Sequence, residues 1–130
     1  MTEKVAVGVI WHGGELVFQE REEGGIVRYA LPGGKLEAGE KTIDATVREV
    51  EQEIGYRFRE EDFGELSVIR IAGFAGYFRS ARLPYGTVLK PRPEEKYQTL
   101  VLWGAERIEE AIEEEIFMPL TGAYLEKNLL

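Results

Sequence analysis

Two acidic side chains, Glu49 and Glu53, lie four residues apart in a stretch with helical character. Side chains at this spacing meet on one face of a helix, so the two carboxylates can reach a single point in space. Their charges repel each other unless a cation lies between them. Carboxylate oxygens are the ligands that Mg²⁺ and Mn²⁺ prefer, and these ions also bind substrate phosphates. The pair therefore indicates either a divalent metal site or the ordinary solvated surface of an acidic helix.

The residues around the pair predict the helix that carries it. Thr42 suits the N-cap position, and Gly55 stands where a glycine commonly ends a helix, which predicts a helix over residues 43–54. At about 100° per residue, four apolar side chains fall on one stripe, which is expected to be buried. The stripe consists of Ile43, Val47, Val50 and Ile54.

A glycine-rich segment, Pro32-Gly33-Gly34, precedes this helix and is expected to be a loop. Proline fixes φ, and glycines can adopt positive φ, so main-chain groups can approach a ligand without a Cβ in the way. Three basic residues flank the segment and could either contact substrate phosphates or remain solvated. They are Arg21, Arg28 and Lys35.

The spacing of residues around the helix is specific. From Gly34 the pattern is glycine, five residues, Glu40, seven residues, and then REVEQEIGY at residues 48–56. This resembles the signature of the Nudix hydrolases, G-x5-E-x7-R-E-U-x-E-E-x-G-U, in which U is a bulky aliphatic residue. The upstream segments LVFQER and YALPGGKLEAGE, and the late strand pattern ending in Trp103, are also similar to that family. The resemblance therefore covers most of the chain.

The resemblance implies a single Nudix domain over residues 1–130. The expected fold class is α/β (α+β), a sandwich in which helices cover both faces of a mixed sheet. The expected activity is that of a MutT-like pyrophosphohydrolase, dependent on Mg²⁺ or Mn²⁺, which cleaves a nucleoside diphosphate linked to another group X. A nucleoside triphosphate or another small nucleotide is the expected substrate, because the chain is short and has no added substrate domain.

The resemblance also implies roles for individual residues. Glu49 and Glu53 match metal ligands, and Glu49 is in addition a possible base. The carbonyl of Gly34 matches a main-chain metal ligand. Arg48 matches a partner that orients the catalytic glutamate, and Glu40 matches a supporting acid behind the ligands. Arg48, Glu49 and Glu53 are thus the expected catalytic residues.

The sequence departs from the signature at two positions. Tyr56 replaces the last aliphatic residue, which we expect to be a tolerated change in packing. Gln52 stands where the signature has a metal-binding glutamate; it keeps one oxygen but loses the charge, and so is a weaker ligand. Three outcomes are open: activity with fewer or weaker metals, recruitment of Glu94 or Glu95 from a later loop, or a silent module that binds a nucleotide or a protein partner without hydrolysis.

Apolar patterns elsewhere predict the remaining elements. Residues 5–10 and 15–19 predict a hairpin, and residues 66–78 predict one long or bent strand, interrupted by Gly73 and Gly76. Residues 80–96 contain three prolines and show neither the helical nor the strand period of apolar residues, which predicts a long loop. A strand and two helices are expected after this loop.

Composition limits the class of protein. At 130 residues the chain has the size of one domain, and no apolar run approaches the roughly 20 residues that cross a membrane. The N-terminus lacks the pattern of a signal peptide, and there is no cysteine. A net charge of -8 argues against an extended nucleic-acid partner. We therefore expect a cytoplasmic monomer or homodimer that acts on a small anionic ligand with the help of a metal.

Overall fold

Seven strands form one mixed sheet in the computed structural model, which describes residues 2–129. The strands are β1 (Glu3–His12), β2 (Glu15–Glu23), β3 (Ile26–Ala30), β4 (Gly33–Lys35), β5 (Ser67–Ile71), β6 (Phe74–Arg82) and β7 (Leu100–Trp103). Their order is β3-β2-β1-β6-β5, with β4 paired to β1 and β7 paired to β2. The β1 and β6 strands are parallel, and the other pairs are antiparallel.

Helices cover both faces of this sheet. They are α1 (Thr42–Ile54), α2 (Ala105–Glu113) and α3 (Pro119–Leu129). On one face, Val50 of α1 belongs to the same buried cluster as Val17 of β2. On the other face, Ile108 of α2 and Leu125 of α3 share a cluster with Phe18 of β2. The predicted α/β/α sandwich is therefore confirmed. No helix within residues 2–129 is long and apolar enough to span a membrane.

The sheet forks between β1 and β2, a feature that positions the polar residues of α1. The predicted hairpin is present, and its strands pair at Trp11–Leu16 and His12–Glu15, beside the turn. Farther along, β3 pairs with β2 while β4 pairs with β1. The chain crosses from one branch to the other at residues 31–32. This fork leaves room for side chains of α1 between the two branches.

The prediction of one long strand over residues 66–78 is wrong. Two strands, β5 and β6, form an antiparallel hairpin there, with Ile71 paired to Phe74. The two turn residues, Ala72 and Gly73, have φ values of 41° and 84°. Two successive positive φ angles match the twist of a tight hairpin, but alanine rarely adopts such a φ. The sequence therefore gives no clear turn signal at this point.

Two other local predictions are corrected. Gly33 and Gly34 lie in β4 rather than in a loop, and neither has a positive φ angle. Thr42 is the first residue of α1, and Lys41 holds the N-cap position without a side-chain hydrogen bond. The Thr42 hydroxyl instead accepts a hydrogen bond from Arg79 of β6 at 2.9 Å. Gly55 ends the helix with φ of 83°, as predicted.

The long loop runs over residues 83–99, because β6 continues through Arg82. Main-chain hydrogen bonds fix this loop across the C-terminal end of α1. The amide of Lys90 donates to the carbonyl of Ile54, and the amide of Arg92 donates to the carbonyl of Gln52, both at 2.9 Å. These bonds satisfy carbonyls that a helix end leaves without partners, and they hold the loop beside the polar face of α1.

Candidate active site

Glu53 lies at the fork of the sheet and is only 4% exposed. Its Oε1 accepts a hydrogen bond from the main-chain amide of Gly33 at 2.9 Å. The amide and carbonyl of one residue in a strand point to the same side, so the carbonyl of Gly33 is also directed toward α1. The fork therefore brings a buried carboxylate and a main-chain carbonyl together.

The neighbouring glycine, Gly34, faces the opposite way. It is the register partner of Ala6 in β1, and hydrogen bonds two residues away on each side join the same strands. Because such bonds recur at every second residue, the amide and carbonyl of Gly34 point into the ladder with β1. Of the two glycine carbonyls, that of Gly33 is the one turned toward Glu53, whereas the resemblance assigned a metal to that of Gly34.

Arg48 holds Glu49 of α1 in place. Its Nη1 donates to Glu49 at 2.6 Å, while Nε and Nη2 each donate to one oxygen of Glu40 at 2.9 Å. The hydrogen bond from Arg48 lowers the pKa of Glu40, and the same bond raises the pKa of Arg48. Two hydrogen bonds to one carboxylate restrict rotation of the guanidinium, so Arg48 is a fixed partner for Glu49.

The loop contributes a third carboxylate, from Glu95. Burial raises the pKa of Glu95, and the charge of nearby Glu49 raises it further. Glu49 and Glu95 also raise the pKa of Glu53, after the larger effect of burial. Three carboxylates thus lie close enough to repel one another. Glu94, the other residue considered in this loop, is exposed.

The three predicted basic residues lie in different surroundings. Arg21 lies beside the carboxylates, since its charge lowers the pKa of both Glu53 and Glu95 against the larger effect of burial. Arg28 is exposed on β3 and donates to the carbonyl of its neighbour Val27. The ammonium of Lys35 is 3.3 Å from Glu3. Arg21 is the basic residue that the fold brings to the acidic cluster.

Gln19 is a residue of this site that sequence reasoning missed. It is 1% exposed, and its Oε1 accepts a 2.7 Å hydrogen bond from Nε of Arg21. The guanidinium of Arg21 also lies 5.6 Å from the centre of the Tyr97 ring. The available signal was that Gln19 follows directly on three apolar residues of LVFQ. A polar side chain that is buried with such a strand normally has a hydrogen-bond partner. Gln19 and Tyr97 together orient Arg21.

Gln52 lies on α1 one turn after Glu49 and is partly buried. Its main-chain carbonyl receives the hydrogen bond from Arg92 described above. Glu51, its neighbour, instead forms ion pairs with Arg57 at 2.8 Å and with Arg92 at 3.0 Å. Glu51 therefore pairs with the loop and with the segment that follows α1.

The donor groups of this site fit a hard divalent cation. Glu49, Glu53 and Glu95 repel one another, and the carbonyl of Gly33 faces the same space. Carboxylate and carbonyl oxygens are the donors that Mg²⁺ and Mn²⁺ bind. Among residues 2–129, no three acidic or histidine side chains already surround a single point. Glu49 is held by Arg48, and Glu53 by the amide of Gly33.

The buried Glu53 predicts a pH dependence of stability. Burial raises its pKa from 4.5 to about 8. A folded pKa above the unfolded value means that the stabilising contribution is complete below about pH 4.5 and is lost as the pH rises through about 8. In EDTA, we therefore expect the Tm to fall between pH 5 and pH 8, and to fall less in Glu53→Gln. If the Tm of the two proteins changes equally between pH 5 and pH 8, the prediction is contradicted.

Comparisons with known proteins show the family and the fold of this chain. A family model described as the NUDIX domain matches residues 2–126. A NUDIX hydrolase structure from Nitrosomonas europaea has a TM-score of 0.71 at 20% identity, over 97% of this chain and 87% of that chain. A NUDIX-family hydrolase from Clostridium perfringens has a TM-score of 0.75 at 11% identity, over 98% and 95% of the two chains.

A more distant likeness is to part of a larger protein. It is a bifunctional NMN adenylyltransferase/ADP ribose pyrophosphatase from Francisella tularensis, whose structure contains AMP and a manganese ion. The TM-score is 0.65 at 14% identity, over 88% of this chain and 42% of that chain. At such identities these structures establish a shared fold. No curated protein sequence matches the chain.

Proposed function

This chain belongs to the NUDIX family, whose members hydrolyse pyrophosphate bonds, and we propose that it cleaves small nucleotides with the help of Mg²⁺ or Mn²⁺. The reaction is hydrolysis of a nucleoside diphosphate linked to another group X, with nucleoside triphosphates as the leading substrates. The observation that carries the proposal is the position of Glu53 at the fork, where its buried carboxylate accepts a hydrogen bond from the amide of Gly33 while Arg48 holds Glu49 one turn earlier on α1. We also propose a cytoplasmic location and a monomer or homodimer.

Each residue of the site has a separate task in this proposal. Glu49, Glu53, Glu95 and the carbonyl of Gly33 would hold the metal, with Glu95 supplying the charge that Gln52 lacks. When bound, divalent ions offset the charge of the phosphates and lower the pKa of the attacking water. Glu49, which Arg48 holds in place, would accept the proton of the attacking water.

Two arginines serve the reaction without holding the metal. Arg48 keeps Glu49 in position through the 2.6 Å hydrogen bond, and Glu40 in turn fixes Arg48. Arg21 is oriented by Gln19 and lies beside the carboxylates, where it can bind an oxygen of the substrate phosphates. The contacts of Arg28 and Lys35 with substrate phosphates stay predictions, as do metal contacts of the Gly34 carbonyl and of Glu94.

A panel of nucleotides tests the proposal. The chain is incubated with nucleoside triphosphates, nucleotide sugars and dinucleotides, with Mg²⁺ or Mn²⁺, and inorganic phosphate is measured before and after addition of pyrophosphatase. Metal-dependent turnover of at least one nucleotide is expected, with product identification showing which bond is cleaved. If no compound is turned over but nucleotides raise the Tm, the chain is instead the silent binding module that Gln52 raises as the alternative.

Restoring the missing charge gives a second prediction. In Gln52→Glu, the Mg²⁺ concentration for half-maximal activity should fall by about three- to tenfold, because a charged ligand attracts the ion more strongly than an amide does. Activity should rise at low Mg²⁺ and change little at saturation. The measurement is a Mg²⁺ titration of initial rates at fixed substrate.

Lys41→Gln provides the matched control for this titration. It changes the net charge by the same single unit, at the exposed N-cap position just before α1. Its titration curve should coincide with that of the wild-type chain. If Gln52→Glu also leaves the curve in place, the side chain at position 52 does not face the ion.

A further inference from the structure

A cleft of about 770 Å³ lies outside the candidate active site and shares no residue with it. Its walls are the ends of β1 and β6, the segment that follows α1, and Pro84 of the long loop. Tyr56, the residue that departs from the last aliphatic position of the signature, lines it. The proposed pyrophosphatase reaction makes no use of this cleft.

The cleft is basic although the chain is acidic. Three of its lining residues are arginines, Arg57, Arg59 and Arg82, against one acid, Asp62. The guanidinium of Arg82 lies over the ring of Trp11, 5.8 Å from its centre. Arg57 is paired with Glu51 at 2.8 Å, and Arg59 with Asp62 at 3.4 Å and with Glu61 at 3.7 Å. Both arginines are largely exposed. Exposed ion pairs of this kind are weak, so a phosphate can compete for these guanidinium groups.

Aromatic side chains lie among the arginines. Trp11 is partly buried at the end of β1, and Tyr56 is partly buried with its ring 4.7 Å from that of Phe58, edge to face. Aromatic faces and arginine planes stack well on planar heterocycles, and guanidinium groups bind phosphate oxygens. A ligand that carries both a planar base and a phosphate group matches this combination better than either group alone.

Hydrogen bonds fix the walls of the cleft before any ligand binds. The amide of Leu83 donates to the carbonyl of Trp11 at 2.8 Å. The Nε2 of His12 lies 2.9 Å from the carbonyl oxygen of Thr87, which anchors the loop beside Pro84. A cleft of this volume is of the size that binds small ligands. The chain's net charge of -8 disfavours a nucleic-acid polymer as the occupant, so a single nucleotide fits better.

We propose that this cleft is a second nucleotide-binding site, with the phosphate at Arg59 and Arg82 and the base against Trp11 and Tyr56. The site needs no metal, because guanidinium groups rather than carboxylates face the phosphate. It is independent of the pyrophosphatase proposal, since it shares no residue with the carboxylate cluster.

Titration of the ¹⁵N-labelled chain with adenosine 5′-monophosphate in EDTA tests the site by NMR. The nucleotide has no pyrophosphate bond to cleave, and EDTA removes any metal from the carboxylates. We expect saturable shifts of the Trp11 indole signal, identified with Trp103→Phe, and of the amides of residues 56–59. Arg82→Gln should weaken binding about tenfold, because it removes a charged donor to the phosphate. Arg70→Gln, an exposed arginine of β5 outside the cleft, should bind as the wild type does.

Several results would overturn the proposal. One is an absence of saturable shifts at Trp11 up to millimolar nucleotide, even if residues around Gly33 shift. Another is an unchanged affinity in Arg82→Gln with a dispersed spectrum; if that variant is unfolded, Arg59→Gln replaces it. Inorganic phosphate shifting the same signals with equal affinity would show that the base contributes nothing and that the cleft is a simple anion site.

Discussion

Glu53→Gln is expected to lower kcat by about 10²–10³-fold while the chain remains folded, a loss comparable to removal of one well-placed electrostatic group from an active site. Glutamine retains the oxygen that accepts the 2.9 Å hydrogen bond from Gly33, so the connection between α1 and β4 survives. It removes the charge that would bind the ion. The measurements are steady-state kinetics at saturating Mg²⁺ and thermal unfolding.

A control separates the loss of this charge from the loss of any carboxylate. Glu109→Gln makes the same chemical change on the exposed face of α2 and should leave kcat and Tm at wild-type values. Glu53→Ala would be a poorer test, because it leaves the buried amide of Gly33 without a partner and creates a cavity. An unchanged kcat in Glu53→Gln would mean that Glu53 is a structural residue and not a metal ligand.

Gly34→Ala is expected to reduce kcat/KM by about 100-fold with little effect on stability, the size of effect that a small misplacement of a reacting group produces. A Cβ at this position would lie 2.6 Å from Cδ of Glu49 and 2.7 Å from both of its carboxylate oxygens. That carboxylate is the far end of a flexible side chain, so it would move aside and leave its place beside Arg48. Kinetics and the Tm of the variant measure the two effects separately.

Gly33→Ala, one residue earlier, should instead have its main effect on the stability of the chain. Its Cβ would lie 2.4 Å from the main-chain oxygen of Ala6 and 2.9 Å from Cα of Val7, so the β1–β4 pairing itself must shift. A loss of about 2–4 kcal/mol of stability is expected, as for other changes that overfill a packed interior. Gly14→Ala, where a Cβ meets nothing within 4 Å, is the neutral control.

A stable, fully active Gly34→Ala would show that the position of Glu49 is unimportant.

Local patterns in the sequence were enough for α1 and for the fold class. The apolar stripe, Gly55 and the spacing from Gly34 to Tyr56 depend on residues within one helix and its ends, where periodicity is informative. Val47, Val50 and Ile54 are buried as the stripe predicted, and Ile43, nearest the helix start, is partly buried. The match of residues 2–126 to the NUDIX model confirms the family that the spacing indicated.

Features that depend on pairing between distant strands were not predictable in the same way. The side to which a glycine carbonyl points is fixed by the register of β4 with β1, which places Gly34 opposite Ala6. The sequence of residues 32–34 does not contain that register. The Ala72–Gly73 turn was missed because alanine is rare at positive φ.

The same limit applies to the side chains around the carboxylates. The difference between the exposed Glu94 and the partly buried Glu95 follows from where the loop is fixed on α1, far away in sequence. The role of Gln19 follows from its contact with Arg21 inside the fork. The residue types of Arg21, Arg28 and Lys35 did not distinguish them, although of these three it is Arg21 whose charge acts on Glu53 and Glu95.

The hydrogen bond between Arg92 and the carbonyl of Gln52 has a consequence for evolution. Any amino acid at position 52 can supply that carbonyl, because it belongs to the main chain. Mutation at this position can therefore alter the charge of the proposed metal site while the main-chain bond still holds the loop, and with it Glu95, in place. The side chain at position 52 is thus free to differ without any change in the main-chain bond that fixes the loop.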